Sequence, residues 1–406
     1  MRIPVVLTFA ALVLAACGTG DATSSSVAIR DSAGVSIVEN RGQPPADGGG
    51  FVLGPEPTLQ IGAAEGDEAY LLFRVWGAAR LSDGRIAVAN NRAPDIRIFD
   101  ASGRHLHTFG TRGEGPEDFD SPVLVGTLPG DTLVVVDRLL RRINLYDPDT
   151  GFIRAGIADP SLEGYLLTVG MFASGTVLIQ RMVFGEDASD GYRRNPIQYR
   201  SVAIDGSLEQ EFGEFPGDEV VSSSREVQTG VFTTLMGNTP FGKMALAAVT
   251  GDFFFYGSQD TWQIEVRDHA GRLVRIIRRD KPLEPITDAQ VSAVMEEGAD
   301  DASTNEQART FRRMMREAPI PEFHPAYEAI FADVTGCLWV EETRVPGGDT
   351  MRHTTIFDPD GRMIGSVVLP DGLRVEQIGE DYLLGRWTDD LGVEYLRLYP
   401  LRRPAG

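Results

Sequence analysis

Between Trp76 and Gly110 short apolar runs alternate with glycine-containing turns, GAARLSDGRIAVANNRAPDIRIFDASGRHLHTFG from Gly77 onward, and this spacing predicts four short antiparallel strands. A first strand ends at the turn Ser82-Asp83-Gly84. A second runs from Ile86 to Ala89, a polar loop leads to a third from Ile96 to Phe99, and Asp100-Ala101-Ser102-Gly103 turns into a fourth from His105 to Phe109. The Asp side chain can accept from backbone N–H two residues on, and Gly takes the positive φ that such a hairpin demands. Ile96 and Ile98 alternate with Arg97 and Phe99, the period of a strand.

The unit repeats. Asp147-Pro148-Asp149-Thr150-Gly151, Asp205-Gly206, Asp268-His269-Ala270-Gly271 and Asp358-Pro359-Asp360-Gly361 recur as third-to-fourth turns after INLYD, SVAID, WQIEVRD and TTIFD. Pro129-Gly130-Asp131, Ser174-Gly175, Gly251-Asp252, Thr335-Gly336 and Gly379-Glu380-Asp381 recur as first-to-second turns. Six first-to-second hairpins therefore stand against five third-to-fourth hairpins, because the last unit stops after Tyr395 to Tyr399. Thr58-Leu59-Gln60-Ile61-Gly62 has the character of the missing outer strand. Supplying it from the N-terminal side joins the ends of a ring and removes a sheet edge. The expected fold is all-β, a six-bladed β-propeller of four-stranded antiparallel blades. One more hairpin, around Asp31-Ser32-Ala33-Gly34, either packs outside the ring or begins a seventh, incomplete blade.

The loop Gly110-Thr111-Arg112-Gly113-Glu114-Gly115-Pro116-Glu117-Asp118-Phe119, followed by Ser121-Pro122, Val134-Val135-Val136-Asp137 and Ile143-Asn144-Leu145-Tyr146-Asp147, resembles the NHL repeat. The first unit keeps the later elements but has Asn90 where that repeat has Asp, and the third to sixth units are more degenerate. From about Asp31 to Tyr399 the chain is similar to six-bladed propeller lipoproteins of environmental bacteria, a resemblance that implies a fold and leaves the activity open.

Tight turns join first to second and third to fourth strands, so the long connections all fall on the opposite face of the disc. They are Met182 to Asn195, Phe215 to Phe241, and a helical insert at about 281–327. In the insert Thr287-Asp288-Ala289-Gln290 reads as a capping box with Ile286 and Val291 as its hydrophobic staple, and Thr304-Asn305-Glu306-Gln307 opens a second helix that Pro319 and Pro321 end. Two placements are open: a lid over the channel mouth, or a cover on the rim of the fourth and fifth blades.

At the start of the chain Arg2, the apolar run Val5 to Leu12, and Leu14-Ala15-Ala16-Cys17 follow the order of an export signal, and the last four residues resemble the lipobox of bacterial lipoproteins. About 12 apolar residues rise only ~18 Å as a helix, short of the ~30 Å bilayer core. The resemblance implies a signal peptide at 1–16, a diacylglyceryl thioether on Cys17 and a polar tether over 17–26. A single propeller domain would follow over 27–406, anchored to the bilayer on the periplasmic side of the outer membrane or at the cell surface. With 38 basic and 59 acidic residues the net charge is −21, which argues against nucleic acid as a partner. A monomer is expected. Cys337, the second of two cysteines, leaves no intramolecular disulfide in the mature chain and alternates with Trp339 as a buried thiol would.

Candidate chemistry gathers at the long-loop ends of the second strands, Asn90, Arg92, Asp137, Arg138, Arg181, Arg386 and Trp387, with Arg112 a further candidate in the connection between the first two units. The arginines could hold a carboxylate or phosphate and Trp387 could stack on a ring, or the arginines could pair with carboxylates of neighbouring blades. His105 and His107 share one strand face but have no evident third partner for zinc. The chain has no HExxH, GxSxG, EF-hand or phosphate-loop motif. The leading expectation is a binding or scaffold module for a small molecule, glycan or protein at the long-loop face, without a cofactor. The alternative is a lactonase-like hydrolase or lyase that holds a divalent cation such as Ca²⁺ in the channel, with Asn90 and Asp137 as candidate ligands.

Overall fold

The computed structural model describes residues 27–183, 191–228, 231–297 and 306–404. Cys17, the signal segment and the tether lie outside the described residues, as do Thr304 and Asn305. The repeated turns form as their chemistry requires. Gly103, Gly151, Gly206, Gly271 and Gly361 all have positive φ, and Asp100 accepts from the N–H groups of Ser102 and Arg104 at 3.0 and 2.9 Å. Asp268 repeats the pattern with Ala270 and Arg272. The Ser102 hydroxyl, donating at 2.6 Å, and the Arg104 N–H hold the Asp100 carboxyl below the usual carboxylate range.

Six sheets follow one another among the described residues. The first comprises Val75–Arg80, Ile86–Asn90, Asp95–Phe99 and His105–Phe109. The second comprises Pro122–Thr127, Leu133–Asp137, Arg142–Asp147 and Gly151–Ile157. The third starts with Leu167–Met171, Val177–Met182 and Gly191–Val202, and the fourth with Leu246–Thr250, Phe253–Gly257, Gln263–Asp268 and Leu273–Asp280. The fifth comprises Tyr327–Ala332, Leu338–Glu342, Arg352–Phe357 and Met363–Leu369. The sixth has Leu373–Ile378, Tyr382–Thr388 and Glu394–Arg402.

The cores lie between sheets and show how the sheets are arranged. Ala79 and Ile98 of the first sheet pack with Leu124 and Val135 of the second, and Val134 and Leu145 of the second with Val177 and Val202 of the third. Tyr199 of the third meets Phe254 of the fourth, and Ile264 of the fourth meets Tyr327 of the fifth. Trp339 of the fifth meets Leu383 of the sixth, and Leu384 of the sixth meets Val88 and Phe99 of the first. The sequence of neighbours returns to its start, the architecture of a β-propeller. Middle strands are consequently covered on both faces: all five residues of Ile86–Asn90, and all five of Asp95–Phe99, are buried. The alternation of Ile96 and Arg97 therefore does not separate inside from outside. Arg97, only 5% exposed, pairs with Asp95 and donates to the carbonyls of Glu68, Ala69 and Leu71.

The closing strand is where the spacing placed it. Leu59–Ile61 lies antiparallel to Glu394–Arg402, with Ile61 opposite Leu396 and Leu59 opposite Leu398. The hairpin Val27–Ser32 and Val35–Arg41 starts no sheet of its own. Its second strand runs parallel to Leu273–Asp280 at the outer edge of the fourth sheet. Asn40, fully buried, then bridges to the fifth sheet, donating to Gly361 O at 2.9 Å and accepting from Met363 N at 2.7 Å. Phe51 continues the wrap into the core shared by the fifth and sixth sheets.

Two expected long loops are strand instead. Leu208–Gln228 is a single 21-residue strand. It pairs on one side with Gly191–Val202 and on the other with Val231–Asn238, so 191–195 and most of 215–238 belong to a β-hairpin arm, while 184–190, 229 and 230 lie outside the described residues. Pro196 and Pro216 face each other in this pairing. Both prolines sit beside a register shift, where a missing N–H costs no ladder bond. The capping box forms: Gln290 N donates to Thr287 Oγ1 at 3.3 Å, and Thr287 N to Gln290 Oε1 at 2.9 Å, at the start of α1 (Asp288–Glu297). Helix α2 (Glu306–Glu317) packs against the long strand of the arm, with Phe311 so close to Gly237 that a Cβ there would stand 2.9 Å from its ring. Among the described residues no helix is long and apolar enough to cross a membrane.

Candidate functional site

In five of the six sheets the pairing of the innermost strand carries a register shift, which leaves extra residues between paired neighbours. They are Trp76 and Gly77, Val125, Val169, Glu328 and Glu376. A bulge twists the strand and re-aims a side chain, here on the strands that border the central channel. Gly77 shows how closely these strands approach: its φ is 96°, and a Cβ would lie 2.0 Å from the carbonyl oxygen of Leu124.

A cavity of about 530 Å³ occupies this region, bordered by the innermost strands of the first, second, third and sixth sheets. Its polar lining is Arg138, Thr168, Gln180, Arg374, Glu376 and Gln377, beside Trp76. The lining takes in most of each of these innermost strands, from Val75 to Ala79 in the first sheet and from Arg374 to Gln377 in the sixth, and Arg138, just past the second strand of the second sheet, marks its long-loop end. No residue of α1 or α2 lines it.

The Arg138 guanidinium carbon stands 4.3 Å from the centre of the Trp76 ring. Its Nε is buried without a hydrogen-bond partner, and among the described residues no carboxylate pairs with it. Half-burial lowers its pKa from the ordinary arginine value. Glu376, whose side chain is 10% exposed, has Arg374 Nε at 4.0 Å and Arg386 Nε at 3.9 Å. Burial pushes its carboxyl up to about 7; Arg374 and Arg386 oppose the rise and Glu394 adds to it. Glu394 itself accepts from Arg386 Nη1 and from Val75 N, both at 2.8 Å, locking the sixth sheet to the first.

Of the residues singled out from the sequence, only Arg138 faces this cavity. Asn90 is buried, accepting from Phe73 N and donating to Ala93 O. Asp137 is fully buried and accepts from the N–H groups of Asp120, Ser121, Leu139 and Leu140. Arg92 lies over the Phe73 ring beside a second cavity near Leu391 and Val393. Arg112 pairs with Asp120, Arg181 with Glu163 and Arg386 with Glu394. Trp387 is stacked against Arg397 at 3.5 Å. The arginines thus do not converge as a group. With Asn90 and Asp137 spent on backbone groups, they do not suit a channel cation, and no group of three or more His, Cys, Asp or Glu side chains that could hold a metal gathers among the described residues. Cys337 is a buried free thiol, and His105 pairs with Thr108.

Glu376 and Arg374 were missed by reading strand ends. The available signal was the run Leu373-Arg374-Val375-Glu376-Gln377-Ile378, three polar side chains in an innermost strand whose counterparts Val123-Leu124-Val125 are apolar.

No family model and no curated protein matches the chain. Among solved structures it is similar to a member of the DUF4221 family from Bacteroides vulgatus, at 12% identity over 87% of this chain and 99% of that one, with a TM-score of 0.49. A Bacteroides fragilis protein described as exported aligns at 11% identity over 91% and 100% of the two chains, with a TM-score of 0.46. Virginiamycin B lyase from Staphylococcus aureus aligns at 10% identity over 87% and 99%, with a TM-score of 0.36. The architecture rests on the chain's own sheet-to-sheet cores.

Proposed function

We propose that this chain is a lipid-anchored, six-bladed, NHL-like β-propeller of the bacterial cell envelope, a binding module that recognises a small molecule, glycan or protein at the long-loop end of its channel. The observation that carries the reading is the polar cavity in which Arg138 rests on Trp76 without a counter-ion. A cavity of this size suits a small ligand or the side chains of a larger one. The bulged strands that border it are fixed from behind by the inter-sheet cores, so recognition groups are held in place before a ligand arrives. The lipobox-like Leu14-Ala15-Ala16-Cys17 supports the envelope location and the anchor.

The test is a thermal-shift screen of glycans and small metabolites against the full-length protein in detergent micelles. A ligand at a hundred times its Kd adds about 2.7 kcal/mol to stability, and the shift is expected to disappear in Arg138→Gln. Hits that stabilise wild type and variant equally would overturn the site. One tightly held divalent cation per purified chain would overturn a metal-free binding role in favour of metal-dependent chemistry.

A further inference from the structure

Arginines elsewhere in the ring are mostly neutralised: Arg85 by Asp83 and Asp149, Arg194 by Asp260, Arg279 by Glu342, Arg352 by Glu341. In a chain of net charge −21, the Arg138 guanidinium has neither a carboxylate partner nor, as Arg142 has, backbone carbonyls to donate to among the described residues. Arg374 adds a second cation, 70% exposed and no closer than 4.0 Å to the Glu376 carboxylate. Gln180, on the third sheet and lining the same cavity, has an amide that makes no hydrogen bond among the described residues.

We propose that the channel mouth takes a small organic carboxylate, held by Arg138 and Arg374, with Gln180 and Glu376 hydrogen-bonding its polar substituents; this rests on the channel mouth being the binding site. Arg138 is laid against Trp76, which restrains the guanidinium, and a restrained planar fork suits the two oxygens of a carboxylate. Glu376 selects for low charge. A phosphate dianion would meet its carboxylate and, behind it, Glu394, whereas a monoanion is balanced by Arg138 and Arg374.

The groups around Glu376 are Arg374 on its own strand, Arg386 on the neighbouring strand, Glu394 on the strand beyond that, and Arg138 across the cavity. Because burial favours the neutral Glu376 carboxyl, protonation removes the repulsive charge and supplies an O–H donor. Carboxylate binding therefore tightens as pH falls through the neutral range.

The experiment is calorimetric titration of the full-length protein in micelles with benzoate and phenylacetate, each beside its neutral isostere, benzamide or phenylacetamide, and with inorganic phosphate. The acids are expected to bind at least about tenfold more tightly than the amides. Arg138→Gln should abolish that preference and Arg138→Lys retain part of it, with thermal melts confirming that both variants fold. Glu376→Gln should keep the preference and lose its pH dependence. Equal binding of acids and amides, or tighter binding of phosphate, overturns the carboxylate assignment. If the amides bind and Arg138→Gln weakens them, the channel-mouth site survives and only the carboxylate falls. If no probe and no screening hit responds to Arg138→Gln, both fall.

Discussion

At the scale of single residues, most charges near the long-loop face stitch backbone. Arg142 donates to the carbonyls of Gly115 and Asp118, as Arg97 does for the loop entering the first sheet, and Asp137 gathers four N–H groups from the loops on either side of it. Asp137→Ala would leave buried donors without an acceptor, and a loss of about 3 kcal/mol or more is expected in urea melts. Asp137→Asn, which keeps one carbonyl oxygen, should lose less. Glu376 makes a different prediction. Its folded-state carboxyl titrates near 7, above its unfolded value, so the folded chain binds the extra proton between those two values. Stability should be fully present below about pH 4.5 and decline as pH rises to about 7, by up to about 3 kcal/mol. In Glu376→Gln this decline should be absent, and an unchanged pH profile would show that Glu376 is better solvated than its surroundings imply.

At the scale of elements, ring closure depends on two short segments from the other end of the chain, Val52–Leu53 and Leu59–Ile61, which pair with the last strand. Ile61 is 1% exposed in the core between the sixth and first sheets, so Ile61→Ala should cost about 2–5 kcal/mol. Ile29, on the exposed edge strand of the N-terminal hairpin, should tolerate the same change within about 0.5 kcal/mol. The bulge in the first sheet gives a matched glycine pair. Gly77→Ala adds a Cβ against Leu124 O, whereas Gly130, also at positive φ, has no atom within 4 Å of the added Cβ. Backbone strain of about 1 kcal/mol is expected for Gly130→Ala. Gly77→Ala should lose clearly more in the same melts, because two sheets must separate to admit the methyl group.

At the scale of the whole molecule, the N-terminal segment wraps the outside of the disc from the fourth sheet through the fifth to the sixth. The chain between Cys17 and Val27 can span at most about 35 Å, so a lipid on Cys17 would keep the outer edge of the fourth sheet near the bilayer. Cys17→Ser should move the protein from the membrane to the soluble fraction of cells without changing the melting temperature of its folded domain. Membrane retention of that variant would mean that another part of the chain holds it there.

The repeated turns, the strand periodicity and the count of hairpins were legible in the chain because each depends on neighbours within a few residues: an Asp that accepts from the next N–H groups, a Gly that takes positive φ, a strand that alternates. The donated closing strand was legible for a related reason, since one unit visibly lacked its partner. What the tertiary structure decided was everything that depends on which surfaces meet. Pro196 and Pro216 look like loop residues until their two strands are paired beside a bulge. Asn90 and Asp137 look like ligands until the loops they bind are folded over them. Glu376 and Arg374 belong to a cavity only because bulged strands from separate sheets bring Trp76 and Arg138 to the same channel. Sequence spacing carries local hydrogen bonding and periodicity, but burial, and with it the free charge at the channel mouth, is set by contacts hundreds of residues apart.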